Sequence, residues 1–310
     1  MFSRLVVHLG GIPRGDPGGG PAAMNATKSN LAGVVVLYHP EPSVVENIRS
    51  YADDVDFLFI VDNSETPDVG LISRLRETFP RAEYISHGAN LGIAKALNTG
   101  AESALARGYG WLLTMDQDSK AGTRMVPHLA AYLREANPAD IGILTPQQLD
   151  VTTPEVDAAT EAEEVATTMT SGNLLNLAAF RRVGKFEESF FIDYVDHEYC
   201  LRLREQGYRI LQVNRAVLHH HLGKMRQYRV LGKSMVASHH NYVRRYYITR
   251  NRWQVMQRYK ARFPEFYRKE LKEFWREFYR ILLFEEDKLR KVRSIVKGYV
   301  HFRKQRFGKL

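Results

Sequence analysis

A chain of 310 residues, 44% hydrophobic and 25% charged, carries enough apolar side chain for one large core and is too mixed to be a low-complexity or disordered polymer. No stretch approaches the roughly 20 consecutive apolar residues of a membrane-spanning helix, because Lys and Arg interrupt every candidate in the C-terminal half. A single cysteine, Cys200, excludes an internal disulfide, points to a reducing cytoplasm and reads as a small buried hydrophobe.

The net charge of +9 hides an asymmetry: residues 1–223 hold 19 Lys+Arg against 28 Asp+Glu, whereas residues 224–310 hold 25 against 7. A surface as basic as the second part suits nucleic acid, anionic lipid or an anionic substrate.

Residues 1–31, rich in Gly, Pro, Ser and Ala, read as a disordered leader with Met24 as a second candidate start. The run AGVVVL over 32–37, β-branched and flanked by Gly and Pro, predicts a buried parallel strand ending at Tyr38-His39-Pro40. A helix over 43–53 and a second strand over 57–61, stopping at Asp62-Asn63-Ser64, complete one strand-helix-strand unit. The alternation continues with a helix over 70–79, a strand over 82–86, a helix over 93–107 and strands over 111–115 and 141–145. The fold class is therefore α/β, a mostly parallel, Rossmann-like sheet with helices on both faces. In such sheets ligands bind beyond the carboxyl ends of the strands, where Tyr38, Asp62, Asn90 and Asp116 fall. Residues 150–166 are acidic and rich in Thr and Ala, which predicts a loop or edge hairpin; a strand-like run follows over 209–218. From Tyr242 onward aromatics recur at helical spacing among Arg and Lys, so the chain divides into a leader (1–31), an α/β domain (32–235) and a basic helical C-terminal region (236–310).

Asp116 and Asp118, one residue apart just after a strand, can face one hard divalent cation from a turn; alone they read equally as a solvated acidic turn. Asp62 can accept the imide N–H of a pyrimidine or close an Asx turn, and Asn90 can open a phosphate-friendly helix N-terminus or serve as a plain N-cap. The run 190–202 places Asp193, Asp196 and Glu198 beside Phe191 and Tyr194, where shielding would raise a carboxyl pKa toward general-base duty or where acids simply complement a helix dipole. One of His219, His220 and His221 can complete a metal shell.

Taken in order, VVVLYHP, VDNS, NLGIAKALNTG, LLTMDQDS, TSGNLL, FFIDYVDHEYCLRLREQGYRI and HHHLG resemble inverting family 2 glycosyltransferases of the GT-A fold, in particular rhamnosyltransferases of bacterial surface polysaccharide synthesis such as O-antigen. The likeness spans about residues 32–255. It implies Asp196 as the catalytic base and Asp118 with His220 as metal ligands for Mg²⁺ or Mn²⁺. It places Tyr38, Asp62, Asn90, Lys95, Asp116 and Arg245 around a nucleotide-sugar donor, and Ser171, Gly172, Asn173 and Glu198 on the acceptor side. Arg244, Arg250 and Asn251 belong to the same subgroup pattern, with arginine forks expected to cap the diphosphate. The implied donor is dTDP-β-L-rhamnose, with UDP-galactose or UDP-glucose as alternatives, and the acceptor a glycan or lipid-linked glycan. The basic region lacks an RRM, KH or helix-turn-helix signature, which weighs against the alternative of nucleic-acid binding. Its aromatic spacing suits peripheral contact with an anionic membrane from the cytoplasmic side, or a homodimer.

Overall fold

A computed structural model of the chain describes residues 30–136, 138–150, 161–220, 226–230, 233–237 and 239–310. Most of the expected leader, residues 151–160 of the acidic stretch, the side chain of His220 and all of His221 lie outside the described residues.

The first half alternates as expected: β1 (Leu31–Leu37), α1 (Val44–Arg49), β2 (Phe57–Asp62), α2 (Val69–Thr78), β3 (Ala82–Ser86), α3 (Ile93–Ala106) and β4 (Trp111–Asp116). Next come β5 (Ser119–Ala121), α4 (Met125–Glu135), β6 (Ile141–Asp150), β7 (Ala162–Glu164), β8 (Asn173–Asn176), α5 (Leu177–Val183), α6 (Val195–Glu205) and β9 (Arg209–His220). A hairpin, β10 (Arg226–Val230) with β11 (Lys233–Ala237), precedes three helices, α7 (Tyr242–Tyr259), α8 (Pro264–Phe284) and α9 (Lys288–Arg303). Local chemistry sets several boundaries. Asp68 caps α2 by accepting from the Leu71 N–H, Asn176 caps α5 through Ala178 and Ala179, Asn241 caps α7 through Arg244, and Pro264 opens α8.

The main sheet has the order β3-β2-β1-β4-β8-β6-β9-β5, with β7 also on β9. Pairs β1/β2, β1/β4, β2/β3 and β6/β9 are parallel, while β8 runs antiparallel between β4 and β6, and β5 antiparallel to β9. Strand β1 is buried on both faces, and its side chains alternate between two apolar layers: Leu31, Val35 and Leu37 pack with α1, α2 and α4, and Ala32, Val34 and Val36 with α3 and α6. The second layer also takes in Val255 and Tyr259 of α7 and Phe266 of α8, so the basic helices share the core of the sheet.

Register then positions the polar strand ends. Leu37 pairs with Asp62 and Val36 with Asp116, which sets Asp62 and Asp116 on either side of β1 at one edge of the sheet, two strand spacings or roughly 10 Å apart. On the far side, β5 pairs Ser119 with His220 and Lys120 with His219, bringing the end of β9 beside the turn that carries Asp118.

Candidate active site

Gln117, between the two aspartates, closes the turn after β4. Its side-chain oxygen accepts from the Tyr38 N–H at 2.7 Å and its amide donates to the Tyr38 carbonyl at 3.1 Å, while Asn47 of α1 donates to the Gln117 carbonyl. The backbone of Asp116 is braced from the opposite side, where its N–H donates to Ser171 Oγ at 3.0 Å and that hydroxyl donates to Ser119 Oγ at 2.8 Å. Ser171 is therefore buried beneath the acidic turn, a correction to its expected place on an acceptor wall. Gly172 beside it has φ +85°, and an added Cβ would lie 2.7 Å from Pro146 Cγ, so this position needs glycine.

Asp62 Oδ1 accepts from the Ser64 N–H in an Asx turn, and Oδ2 accepts from the Tyr84 hydroxyl at 2.7 Å. Tyr38, just past the end of β1, is 44% exposed. Asn90 Oδ1 accepts from the Gly92 N–H, and Lys95 Nζ lies 3.5 Å from Glu188 Oε1. Gly92, at φ +88°, lets the start of α3 touch the loop that leads to the base candidate: a Cβ there would sit 2.5 Å from the Phe191 carbonyl, which already accepts from Ile93 N–H at 2.9 Å.

That loop is unusual. Phe191, Asp193 and Tyr194 all have positive φ, a costly run for residues with side chains, so the surroundings must over-determine it. They do so from α7. Asn251 Nδ2 donates to the carbonyls of Phe190, Ile192 and Asp193 at 3.0, 2.8 and 2.9 Å, and Arg250 donates to those of Ser189, Phe190 and Gly308. Both side chains are fully buried, so they brace backbone and are not diphosphate forks. The Tyr194 hydroxyl is further held between Glu270 and Arg252.

The loop delivers Asp196 to the first turn of α6. Asp196 Oδ1 accepts from the His197 N–H at 2.8 Å and meets His197 Nδ1 at 2.9 Å. Burial pushes the Asp196 carboxyl up, but the His197 cation and its donors outweigh it and leave the group below its ordinary value. The raised pKa expected from apolar shielding is thus reversed by one adjacent residue. Asp116 goes the other way: burial first, then the Asp118 and Asp196 charges, raise it to about 7, with Arg244 opposing. Asp193 is likewise raised by burial, against Arg244, which donates to it at 3.0 Å.

Two expected site residues sit elsewhere. Glu198 is 0% exposed, its carboxylate taken by Arg202, Arg258 and Tyr259, because a step of two residues along α6 turns it away from Asp196 toward α7. Arg245 is 3% exposed and bridges Glu285 at 2.7 Å and Glu277 at 3.4 Å. The half-exposed arginine at the carboxylates is its neighbour, Arg244.

Among the described residues no group of three His, Cys, Asp or Glu forms a metal cluster. The oxygen set of Asp116 and Asp118 nevertheless fits a hard divalent cation, since burial first, and then the Asp118 and Asp196 charges, disfavour the charged Asp116 carboxyl, a penalty that a cation here would offset. His220 stands next to this set through its backbone pairing with Ser119.

A family model for glycosyl transferase family 2 matches residues 34–194, just over half of the chain. The chain belongs to that family. This family 2 glycosyltransferase is 27% identical over 248 residues to the dTDP-rhamnosyl transferase RfbF of Shigella flexneri, an alignment that covers 74% of this chain and 81% of the relative. In structure it resembles residues 1–349 of TarS from S. aureus in complex with UDP-GlcNAc, with TM-score 0.59 and 13% identity over 88% of this chain and 81% of that one. It also resembles the mannosyltransferase PcManGT of Pyrobaculum calidifontis in complex with GDP-Man and Mn²⁺, with TM-score 0.54 and 15% identity over 91% and 76% of the two chains. The nucleotide-sugar glycosyltransferase fold expected from the motifs is the fold found.

Proposed function

We propose that this family 2 enzyme transfers L-rhamnose from dTDP-β-L-rhamnose to a hydroxyl of a glycan or lipid-linked glycan in surface polysaccharide synthesis, with inversion at the anomeric carbon. The observation that supports this mechanism is the strained loop over 189–194, held by Asn251 and Arg250, which sets Asp196 near enough to Asp116 for its charge to help raise that carboxyl. The donor sugar is inferred from the curated relative.

In this reading Asp62 receives the pyrimidine edge, Tyr38 covers the base, and Asn90 and Lys95 flank the ribose and phosphates. Asp118, with Asp116 and His220, would hold Mg²⁺ or Mn²⁺, which supplies charge neutralisation for the departing diphosphate when bound. Arg244 replaces Arg245 as the cation presented to that diphosphate. Asp196 takes the proton of the acceptor hydroxyl; the acceptor oxygen forms the bond to the anomeric carbon from one face as the bond to the diphosphate oxygen breaks on the other. His197 keeps Asp196 charged for that step.

A panel of nucleotide sugars, scored by thermal shift with Mn²⁺ and then by release of nucleoside diphosphate, tests the donor. At 100 times Kd a ligand stabilises by about 2.7 kcal/mol, so dTDP-rhamnose should give the largest rise in Tm and the fastest release. A larger response to UDP-galactose or UDP-glucose would transfer the assignment to that donor.

We further infer peripheral attachment to the cytoplasmic face of an anionic membrane. No helix among the described residues is long and apolar enough to cross a bilayer, yet α8 exposes Trp275, Tyr279, Leu282 and Leu283 at helical spacing, and no acidic residue follows Asp287 while nine Lys and Arg do. Exposed apolar side chains on a strongly basic C-terminal region suit a lipid interface, where each Lys or Arg near the surface contributes about 1 kcal/mol. Full-length protein should co-sediment at least tenfold better with phosphatidylglycerol-containing vesicles than with neutral ones, and Trp275→Ala with Leu283→Ala should weaken this without loss of soluble activity. Equal recovery on both, together with a dimer disrupted by the same substitutions, would assign the face to a second copy of the chain.

A further inference from the structure

After α9 the chain doubles back onto the loop over 189–194. The Gly308 N–H donates to the Ser189 carbonyl at 2.7 Å, the Gly308 carbonyl accepts from Arg250 at 2.7 Å, the Phe307 ring stacks on Phe190, and the Leu310 N–H donates to the Tyr247 hydroxyl at 2.6 Å. With both of its neighbours anchored, Lys309 reaches across to the first half of the chain. Its Nζ donates to the Asn90 carbonyl at 3.3 Å, lies 3.8 Å from Glu65 Oε1 and is 5.8 Å from the centre of the Phe191 ring. Asn90 opens the turn into α3 and Glu65 follows the Asp62-Asn63-Ser64 turn; the two turns are joined where Asn63 Nδ2 donates to the Gly92 carbonyl at 3.0 Å. An ammonium supplied from position 309 therefore stands where these two turns meet.

We propose that Lys309 is a donor-binding residue, whose ammonium leaves Glu65 for the diphosphate when the nucleotide sugar enters. The contacts it makes in the free protein are weak enough for that exchange: the Lys309 side chain is 56% exposed and that of Glu65 45%, and so exposed a pair adds little stability. Glu65 is not stranded when Lys309 departs, because His39 Nε2 lies 3.1 Å from its other oxygen. A diphosphate carries more charge than one carboxylate and offers several acceptor oxygens, so it outcompetes Glu65 for an ammonium on a flexible four-carbon stem. Lys95 on Glu188 and Arg244 on Asp193 show the same arrangement, a cation resting on a carboxylate until an anion arrives. This role rests on the reading of Asp62, Asn90 and Lys95 as the donor side, and adds to that side a residue from beyond α9, outside the stretch that the family model matches.

Calorimetric titration of the full chain with dTDP, UDP and thymidine, in the presence of Mn²⁺, tests this role, since thymidine keeps the base and sugar but has no phosphate. Lys309→Met should weaken both diphosphates about tenfold, as expected for one partly exposed charge-assisted hydrogen bond. It should leave thymidine binding and Tm unchanged, and raise donor KM with little change in kcat. Lys309→Arg should keep most of the affinity. Glu65→Gln frees the ammonium from a competing contact and should tighten both diphosphates about two- to threefold. Equal affinity of wild type and Lys309→Met for dTDP and UDP would overturn the proposal. So would a loss shared by thymidine and accompanied by a lower Tm, the signature of a strap that only steadies the loop over 189–194, and so would weaker diphosphate binding in Glu65→Gln. A wild type that binds neither dTDP nor UDP would instead remove the donor-side reading, and the role of Lys309 with it.

Discussion

Asp196→Asn is expected to lower kcat by about 10²- to 10⁴-fold, the range that general-base catalysis supplies, while leaving nucleoside diphosphate binding intact. The substitution keeps size and leaves an acceptor oxygen for the His197 N–H, so the loop held by Asn251 and Arg250 has no cause to rearrange. What it removes is the proton acceptor. Because His197 holds the Asp196 carboxyl below its ordinary value, the base is charged throughout the neutral range. Activity should therefore be present above that depressed pKa and disappear only as pH falls through it, below the usual carboxylate value of about 4. His197→Gln should move this acidic limb upward by removing the cation while burial remains. The assay is nucleoside diphosphate release against pH at saturating donor, paired with thermal shift by the nucleotide; undiminished turnover in Asp196→Asn would dismiss it as the base.

The second large effect concerns the acidic turn. Chelation by EDTA and Asp118→Ala should each reduce turnover by about 10²-fold or more, as expected when charge neutralisation of a leaving diphosphate is lost, and added Mn²⁺ should restore only the chelated wild type. The metal-free protein offers an independent readout. Asp116 has its folded pKa raised to about 7, so the folded state binds a proton more tightly than the unfolded chain, whose carboxyl titrates near 4. The sign follows: between about pH 4 and pH 7 stability falls as pH rises, by an amount on the order of 2 to 4 kcal/mol at most. Asp116→Asn should remove that loss, raising Tm at pH 8 and changing it little at pH 4. Mn²⁺ should raise the wild-type Tm at pH 8 for the same electrostatic reason. An Asp116→Asn protein with the wild-type dependence of Tm on pH would contradict this account.

Much of this site is legible in the sequence because parallel strands announce themselves. Runs such as AGVVVL and FLFIVD are apolar on both faces and end in polar residues, so the sequence alone places Asp62 and Asp116 on one edge. The antiparallel half is harder. Asn173–Asn176 spans four residues with no alternation, and Ser119–Ala121 spans three, too short for either to show a period. Helical phase is the other limit. Glu198 reads as a site acid until the four-residue step to Arg202, and Arg258 and Tyr259 across from it, show which way it faces. Arg244 and Arg245 differ by about 100° around α7, and that helix is polar and aromatic on every side, so no apolar stripe fixes which arginine meets the cleft. The one-residue difference between Asp196 alone and Asp196 paired with His197 decides the direction of a pKa, and only contact geometry reveals it.

The hold of α7 on the loop over 189–194 also bears on how members of this family can be recombined. Segments that meet only through apolar packing tolerate exchange, since hydrophobic residues of similar volume can repack. Here two buried polar side chains satisfy named carbonyls of a left-handed loop, and a foreign helix without a guanidinium at position 250 and an amide at position 251 would strand those groups. A chimera that keeps the loop but changes the helix breaks the pairing as surely as a deletion would. The loop and α7, far apart in the chain, are therefore one unit of inheritance, and the natural crossover points lie before Ser189 and after Tyr259, with both segments carried together.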